Sequence, residues 1–369
     1  VAPDAFKGTL SANDAAQAIA RAIRDATPDA LVEVLPLADG GDGTVAALAA
    51  AGYEQRAIAT RGPTGVPTVA RVARRGGTAV VEIASACGIA LLGADRLAPM
   101  TSTSLGLGDA VCAVLDDDPD EIVLGLGGSA STDGGTGLLV ALGARLLDAN
   151  DVPVPPGGAG LARITRLDLT GLDPRLRGRR VVVAADVRSP LLGPDGAAAA
   201  FGPQKGATPE QVVSLEDGLA AWAGVLADAT GVDVRSAPGA GAAGGCGAAA
   251  IAALGAVQVS GAGFVHGALG LADRIREADL VITGEGRLDR TSLLGKGLGD
   301  VARLSSAAGV PVLAVCGQVA LSPDEASAAG IRRAVALVDV VGLGAATADP
   351  AGSLAAAVRM AVDSGRWIA

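Results

Sequence analysis

Aromatic residues are nearly missing from this chain: they make up 2% of 369 residues, against 50% hydrophobic residues and 54 glycines. A core without rings must be built from Ala, Val, Leu and Ile, with close backbone approaches, which favours helices packed on sheets over an aromatic-rich sandwich. A basic surplus is missing too. The formal net charge of -10 leaves no surplus to neutralise a phosphate backbone, which argues against a general nucleic-acid binder. A locally positive pocket for a small anion is still open. No apolar stretch reaches the roughly 20 residues that span a bilayer, and no signal peptide is visible. No membrane partner and a cytoplasmic setting are therefore expected. The chain opens at "VAPDAFKG" as though a strand were under way, so the natural start is expected to lie upstream.

Carriers of several chemistries are also scarce. Cys87, Cys112, Cys246 and Cys316 lie far apart in apolar settings without a CxxC pair, which reads as buried thiols in a reducing compartment. His266 is the only histidine; there is no G-x-S-x-G elbow for Ser–His catalysis and no His/Cys zinc spacing, so it reads as a packed or surface residue. A Walker A motif is absent, because Arg290 stands where the glycine before Gly295 and Lys296 is required.

What is present is a repeated strand–loop–helix pattern. Val1–Pro3 reads as a strand end, Ser11 caps a helix over about Ala12–Ala26, and "LVEVLPL" is a second strand running into "ADGGDGT" and another helix. From Gln55 the texture changes to a short meander broken by Gly and Pro. The helix "TSLGLGDAVCAVLDD" feeds the strand "EIVLGL", and "GLLVALGARLLDA" reads as a helix. "NDVPVPPGGAGLARI" reads as a surface excursion, "RRVVVAADV" as a strand, Thr208–Thr230 as helical, and "APGAGAAGGCGAAAIAALGA" as a flexible stretch. Near Ala278 the first texture returns, with "DLVITGEG", "VPVLAVCGQV" and "RRAVALVDVVGL" as strands apolar on both faces, as in a parallel sheet. The expected class is α/β with two α/β domains. One is discontinuous, over residues 1–60 and 278–369, with a Rossmann-like parallel sheet; the second, 61–277, is inserted in its middle.

The stretch "IVLGLGGSASTDGGTG" nearly satisfies a dinucleotide fingerprint, through Gly125, Gly127 and Ala130, with Asp148 about 20 residues on. Its hydroxyls and carboxylate stand where that fingerprint wants featureless backbone, and suit a tetrahedral anion at a helix start better. Asp133 either receives a cation or substrate hydroxyl or caps the helix that follows. Similar loops recur: Asp4 and Lys7 in "PDAFKG", Asp39 and Asp42 in "PLADGGDGT", Lys205 in "FGPQKGA", and Glu285, Asp289, Ser292 and Lys296 in "TGEGRLDRTSLLGKG". Acids for a cation, lysines for phosphates and hydroxyl-rich glycine loops at strand ends are the parts of phosphoryl transfer.

In order along the chain, "PDAFKGTLSA", "ADGGDGT", "GLGGSASTDGG", "ADVRSPLLGPDGAAAAFGPQKGA", "GAGAAGG" and "DLVITGEGRLDRTSLLGKG" resemble the bacterial type-1 glycerate kinases. The resemblance implies ATP-dependent phosphorylation of D-glycerate, usually at the 2-hydroxyl to give 2-phosphoglycerate, with two α/β domains and an active site in the cleft between them. An alcohol acceptor needs no covalent enzyme intermediate, so direct in-line transfer without a P-loop is expected, with Asp186 the first choice and Asp133 the second as base, and Lys7 with Lys205 neutralising transferring charge. Ser129, Ser131, Thr132, Lys205 and Gly206 would meet the substrate. Gly40, Gly41, Gly127, Gly128, Glu285, Asp289, Gly295 and Lys296 would meet nucleotide phosphates, and Mg²⁺ would sit near some of Asp39, Asp42 and Asp186. Ala5, Thr132, Ala185, Ser189 and Arg290 depart from the family's usual residues. The alternatives are an NAD(P)-dependent oxidoreductase of a small hydroxy acid and a non-catalytic phosphate- or nucleotide-binding module.

Overall fold

The computed structural model describes residues 1–6, 8–293 and 297–363. The chain divides into two compact units: Val1–Asp39, Ala46–Ala51 and Ala262–Ala369 form the first, and Gly40–Val45 and Gly52–Gly261 the second.

The second unit is organised by a six-stranded sheet among the described residues, in the order Glu54–Arg61, Pro67–Arg75, Thr78–Glu82, Glu121–Gly125, Arg180–Ala184 and Val257–Val259. Its meander is β1 (Glu54–Arg61), β2 (Pro67–Arg75) and β3 (Thr78–Glu82), paired antiparallel. Next comes β4 (Glu121–Gly125). The short antiparallel pair β5 (Arg145–Leu147) and β6 (Arg166–Asp168) lies apart from the main sheet. β7 (Arg180–Ala184) and β8 (Val257–Val259) complete it, and β3, β4, β7 and β8 run parallel. Val81, Ile122, Leu124 and Val183 alternate onto one face and pack with Leu107, Val111 and Val114 of the helix Leu105–Leu115. Trp222, Leu215 and Leu219 of the long helix Pro209–Thr230 form a second cluster with Leu139, Leu161 and Leu191. That helix starts at a capping box in which the Thr208 hydroxyl accepts from Gln211 N–H and the Gln211 side chain accepts from Thr208 N–H, an arrangement worth about 1 kcal/mol.

Three sequence expectations change in this unit. The helix expected through Ala149 stops at Ala141. Gly143, at φ 101, turns the chain beside Gly171, where a Cβ would stand 2.1 Å from the Gly171 carbonyl oxygen, and Arg145–Leu147 becomes a strand. The excursion at 150–164 is not confined to the surface, because Val154, Leu161 and Ile164 are buried in the second cluster. The glycine–alanine stretch is built into the interior: the helix Cys246–Leu254 buries Cys246, Ala248, Ala249 and Ala250.

In the first unit β9 (Val281–Thr283), β11 (Val312–Cys316) and β13 (Arg333–Ala336) form a parallel sheet, and β10 (Arg287–Leu288) pairs with β12 (Gln318–Val319). Residues 1–4 and 33–37 run alongside without becoming regular strands. Ala2 and Asp4 donate to the Ile282 and Gly284 carbonyls, and Leu35 and Leu37 donate to those of Val1 and Pro3. The helix Ala12–Ala26 appears as the sequence predicts, with the Ser11 hydroxyl accepting from Asp14 N–H. Its Ala15, Ala18, Ile19 and Ala22 pack on Leu354, Ala357 and Val358. Burying Ile19 fully stabilises the unit by roughly 2–3 kcal/mol. The strand expected to continue past Ala336 instead turns into the helix Leu337–Val341.

All four cysteines are free; Cys112 is half-buried and the others are buried. His266 is buried with Nδ1 3.4 Å from an Asp300 carboxylate oxygen. Among the described residues no helix is long and apolar enough to cross a membrane.

Candidate active site

Parallel strands bring their carboxyl ends to one edge, where ligands bind in open α/β sheets. In the second unit four such ends carry polar groups: Glu82 ends β3, the loop 126–135 follows β4, Asp186 follows β7, and Ser260 follows β8.

The loop after β4 is held close to the chain at 40–41. Gly127 N–H donates to the Gly40 carbonyl at 3.2 Å. A Cβ on Gly127 would lie 2.5 Å from the Gly41 Cα, so only glycine permits this approach. Gly128, at φ 79, accepts from Ile89 N–H through its carbonyl. Beyond it Ser129 is almost covered, and Ser131, Thr132 and Asp133 are fully buried.

Asp133 spends its carboxylate inside the protein. One oxygen accepts from Ser104 N–H at 2.8 Å, Ser104 Oγ–H at 2.9 Å and Gly137 N–H at 3.1 Å; the other accepts from Gly135 N–H at 3.1 Å. Its main-chain carbonyl accepts from the Thr136 hydroxyl and N–H. This is the capping arrangement that the loop-and-helix pattern allows for, supplying orphan donors at a helix start. Burial pushes the Asp133 carboxyl up, against the pull of the Ser104, Gly137 and Gly135 donors.

Lys205 is the reverse case. The sequence "FGPQKGA" delivers it from a short turn, Pro203–Lys205, closed by Gly206 at φ 89, and its side chain is 97% withdrawn from solvent, at 3% exposed. Its ammonium donates to Ser129 Oγ at 3.0 Å and to the Ser131 carbonyl at 2.5 Å. Burial pushes its pKa down to about 8, partly offset by the neighbouring Cys246 and Asp133. The Ser131 and Thr132 hydroxyls on the same loop are buried without a hydrogen-bond partner among the described residues. A buried ammonium beside two unpartnered hydroxyls is costly in an empty protein and favourable against an anionic oxygen.

Asp186 is half-buried, and one of its carboxylate oxygens accepts from Ser260 Oγ–H at 2.7 Å. Asp42 is exposed. Among the described residues no group of three or more His, Cys, Asp or Glu side chains is gathered tightly enough to hold a metal by itself. A magnesium that keeps several waters and phosphate oxygens needs only one or two carboxylates.

In the first unit Glu285 follows β9, and Asp4 and Asp39 stand at the ends of the two extended segments; all three are half-buried. Asp289 closes its own turn, accepting from Thr291 N–H at 2.9 Å and Thr291 Oγ1–H at 2.6 Å, which holds its carboxyl below the usual range. Lys7, Gly295 and Lys296 lie outside the described residues. Arg290 pairs with Glu325 at 2.6 Å on the surface. Asp148, the acid that a dinucleotide reading would need, accepts from Asn150 and Val152 N–H in a turn.

A model described as the glycerate kinase family matches residues 1–364. The chain belongs to the glycerate kinase family. The glycerate 2-kinase of Escherichia coli (strain K12) is 42% identical over 323 residues, covering 86% of this chain and 84% of that one. The glycerate kinase of Bacillus subtilis (strain 168) is 40% identical over 323 residues, with the same coverage of 86% and 84%. A crystal structure assigned as glycerate kinase 2 from Salmonella typhimurium LT2 superposes with a TM-score of 0.81 at 37% identity, covering 100% of this chain and 98% of that one. Membership makes the chain an enzyme of the kinase class.

Sequence reasoning missed three parts of this candidate site. Ser104 grips Asp133, and its Oγ also accepts from Leu138 N–H. Trp222 donates its indole N–H to the Gly134 carbonyl at 2.9 Å. Ala243 takes the left-handed conformation, at φ 52, just before Gly244, whose carbonyl accepts from Gly134 N–H. Only the last had a signal, in the "GAGAAGG" run; a serine and a tryptophan in helical segments carry none.

Proposed function

We propose that the chain phosphorylates D-glycerate at the 2-hydroxyl, using ATP with Mg²⁺, by direct in-line transfer without a P-loop. The observation that carries the reading is the buried Lys205 ammonium beside the unpartnered Ser131 and Thr132 hydroxyls, in a chain whose relatives are glycerate kinases. Lys205, Ser129, Ser131 and Thr132 bind an anionic oxygen, which we assign to the glycerate carboxylate, with Gly206 fixing the turn that presents the lysine. Gly40, Gly41, Gly127 and Gly128 offer close backbone approach for nucleotide phosphates. In the first unit Glu285, Asp289 and the undescribed Lys7, Gly295 and Lys296 are further candidates for phosphate and charge contacts.

Asp186 orients the attacking hydroxyl and accepts its proton, with Ser260 fixing one carboxylate oxygen. Asp133 has the weaker claim to that role, because its carboxylate is buried and occupied by four donors; we assign it to positioning the loop. Asp42 and Asp186 are the carboxylates suited to magnesium in the second unit, and Asp39 is a separate candidate in the first. When bound, the cation supplies charge neutralisation on the phosphate oxygens.

Incubation with ATP, Mg²⁺ and D-glycerate, followed by phosphorus NMR, tests the proposal. The expected result is ADP with 2-phosphoglycerate. A 3-phospho product overturns the regiochemistry, no ADP above background points to a binding module, and nicotinamide reduction in a parallel incubation with NAD(P)⁺ and D-glycerate points to an oxidoreductase.

A further inference from the structure

Glu82 is a buried carboxyl group that none of the roles above uses. It is the last residue of β3, paired in parallel register with Gly125, the last residue of β4, and it is 4% exposed. Its Oε2 accepts from Val45 N–H at 2.9 Å. Val45 is the second residue of the helix Thr44–Ala50, so that N–H has no partner within its own helix. The same residue is gripped from the other side, where Gln55 Nε2–H of β1 donates to the Val45 carbonyl at 2.7 Å. The charged groups that act on Glu82 are Asp42, on the 40–45 segment, and Arg71, on β2; the Ser85 hydroxyl lies on the helix Ile83–Cys87.

The position of this contact gives it a consequence. Residues 40–45 are a short segment of the second unit, whereas the flanking chain through Asp39 and from Ala46 belongs to the first. One end of the segment is fixed by the Gly127 N–H bond to the Gly40 carbonyl. The other end is fixed by Glu82 and Gln55. Asp42 stands between the two anchors.

We infer that Glu82 is a positioning residue: its carboxyl group latches the 40–45 segment through Val45 N–H and so sets where Asp42 and the Gly41–Gly127 approach stand during phosphoryl transfer. A burial role alone does not explain it, since an apolar side chain of that size would fill the space at the end of β3 without any desolvation cost. The inference rests on the proposed kinase function for its catalytic consequence, while the latch itself is readable without turnover.

The test compares the intact wild-type chain with Glu82→Gln, which keeps an acceptor oxygen, and Glu82→Leu, which keeps the volume. Amide hydrogen exchange at Val45 and steady-state kinetics with ATP, Mg²⁺ and D-glycerate are measured for each, alongside the melting temperature. Glu82→Leu is expected to speed Val45 exchange roughly tenfold or more relative to core amides and to lower kcat by roughly 10- to 100-fold, with little change in KM for D-glycerate. Glu82→Gln is expected to restore Val45 protection and to bring kcat back to within about threefold of wild type. Wild-type exchange at Val45 in Glu82→Leu, or a Glu82→Gln variant that stays as slow as Glu82→Leu, overturns the inference. If Glu82→Leu does not fold, rapid Val45 exchange in Glu82→Gln overturns it and protection with retained kcat supports it. If wild type lacks kinase activity the proposed function fails, and the exchange comparison decides the latch alone.

Discussion

Asp133 and Asp289 look alike in the sequence and do different things in the fold. Each follows a strand in a glycine-rich loop with hydroxyl neighbours, one in each unit. Asp289 is half-buried and bonds to the hydroxyl and N–H two residues on, a self-contained turn that water could replace at modest cost. Asp133 is fully buried and gathers donors from Ser104, which caps the helix Leu105–Leu115, from Gly135, which caps the helix Thr136–Ala141, and from Gly137 within that helix. One closes a local turn; the other organises a wall. Beside Asp133 the loop leaves the Ser131 and Thr132 hydroxyls without partners among the described residues and holds an ammonium out of water. The contrast separates a polar group satisfied by its own turn from a polar cluster that leaves buried hydroxyls unpartnered among the described residues.

The largest expected effect falls on the residue that is neither cap nor wall. Asp186→Asn should lower kcat by roughly 10²–10⁴-fold while leaving the melting temperature nearly unchanged, because Asp186 is only half-buried. Steady-state kinetics with a thermal melt check this, and near-wild-type turnover removes the base assignment.

Next comes the stability contrast itself. Asp133→Ala leaves several buried donors unpaired and should cost about 3 kcal/mol or more, whereas Asp289→Ala should cost about 1 kcal/mol. Urea unfolding of both variants measures the difference; equal losses would erase the distinction.

A smaller effect is carried by pH. Lys205 is held down at about 8 from its ordinary 10.5 by burial, so in the free protein it is charged below that value and neutral above it. An anion bound against it favours the charged form, so binding takes up a proton. KM for D-glycerate should therefore rise about tenfold per pH unit above 8. Without ligand, the folded state holds this proton less tightly than the unfolded chain, so stability should rise as pH goes from about 8 toward 10.5. A flat KM across that window would detach Lys205 from substrate binding.

Much of this was legible before the structure. The meander and the return of apolar strands near Ala278 follow from periodicity, whereas the two strands expected at the start are extended segments outside any regular strand. The Ser11 cap and the helix Ala12–Ala26 follow from local signals. The loop Gly127–Gly135 stands out in the sequence because hydroxyls in a glycine loop suit an anion, and the structure buries Ser129, Ser131, Thr132 and Asp133 there. Less legible was anything set by packing across long sequence separation. Whether Asp133 is a cap or a base depends on Ser104, 29 residues away, and Glu82 is one acid among many until Val45 is seen against it, 37 residues away. The run at Gly143 reads as helix because its Leu spacing is helical; the close approach of Gly171 stops it.

The most direct test of the central claim is Lys205→Met, followed by kcat/KM for D-glycerate and a thermal melt on the same sample. The methionine keeps the volume and removes a desolvated charge. If the buried ammonium is there for an anion, kcat/KM falls at least about 100-fold while the melting temperature holds or rises. A variant that keeps wild-type kcat/KM, or one that loses activity only because it unfolds, would contradict the account.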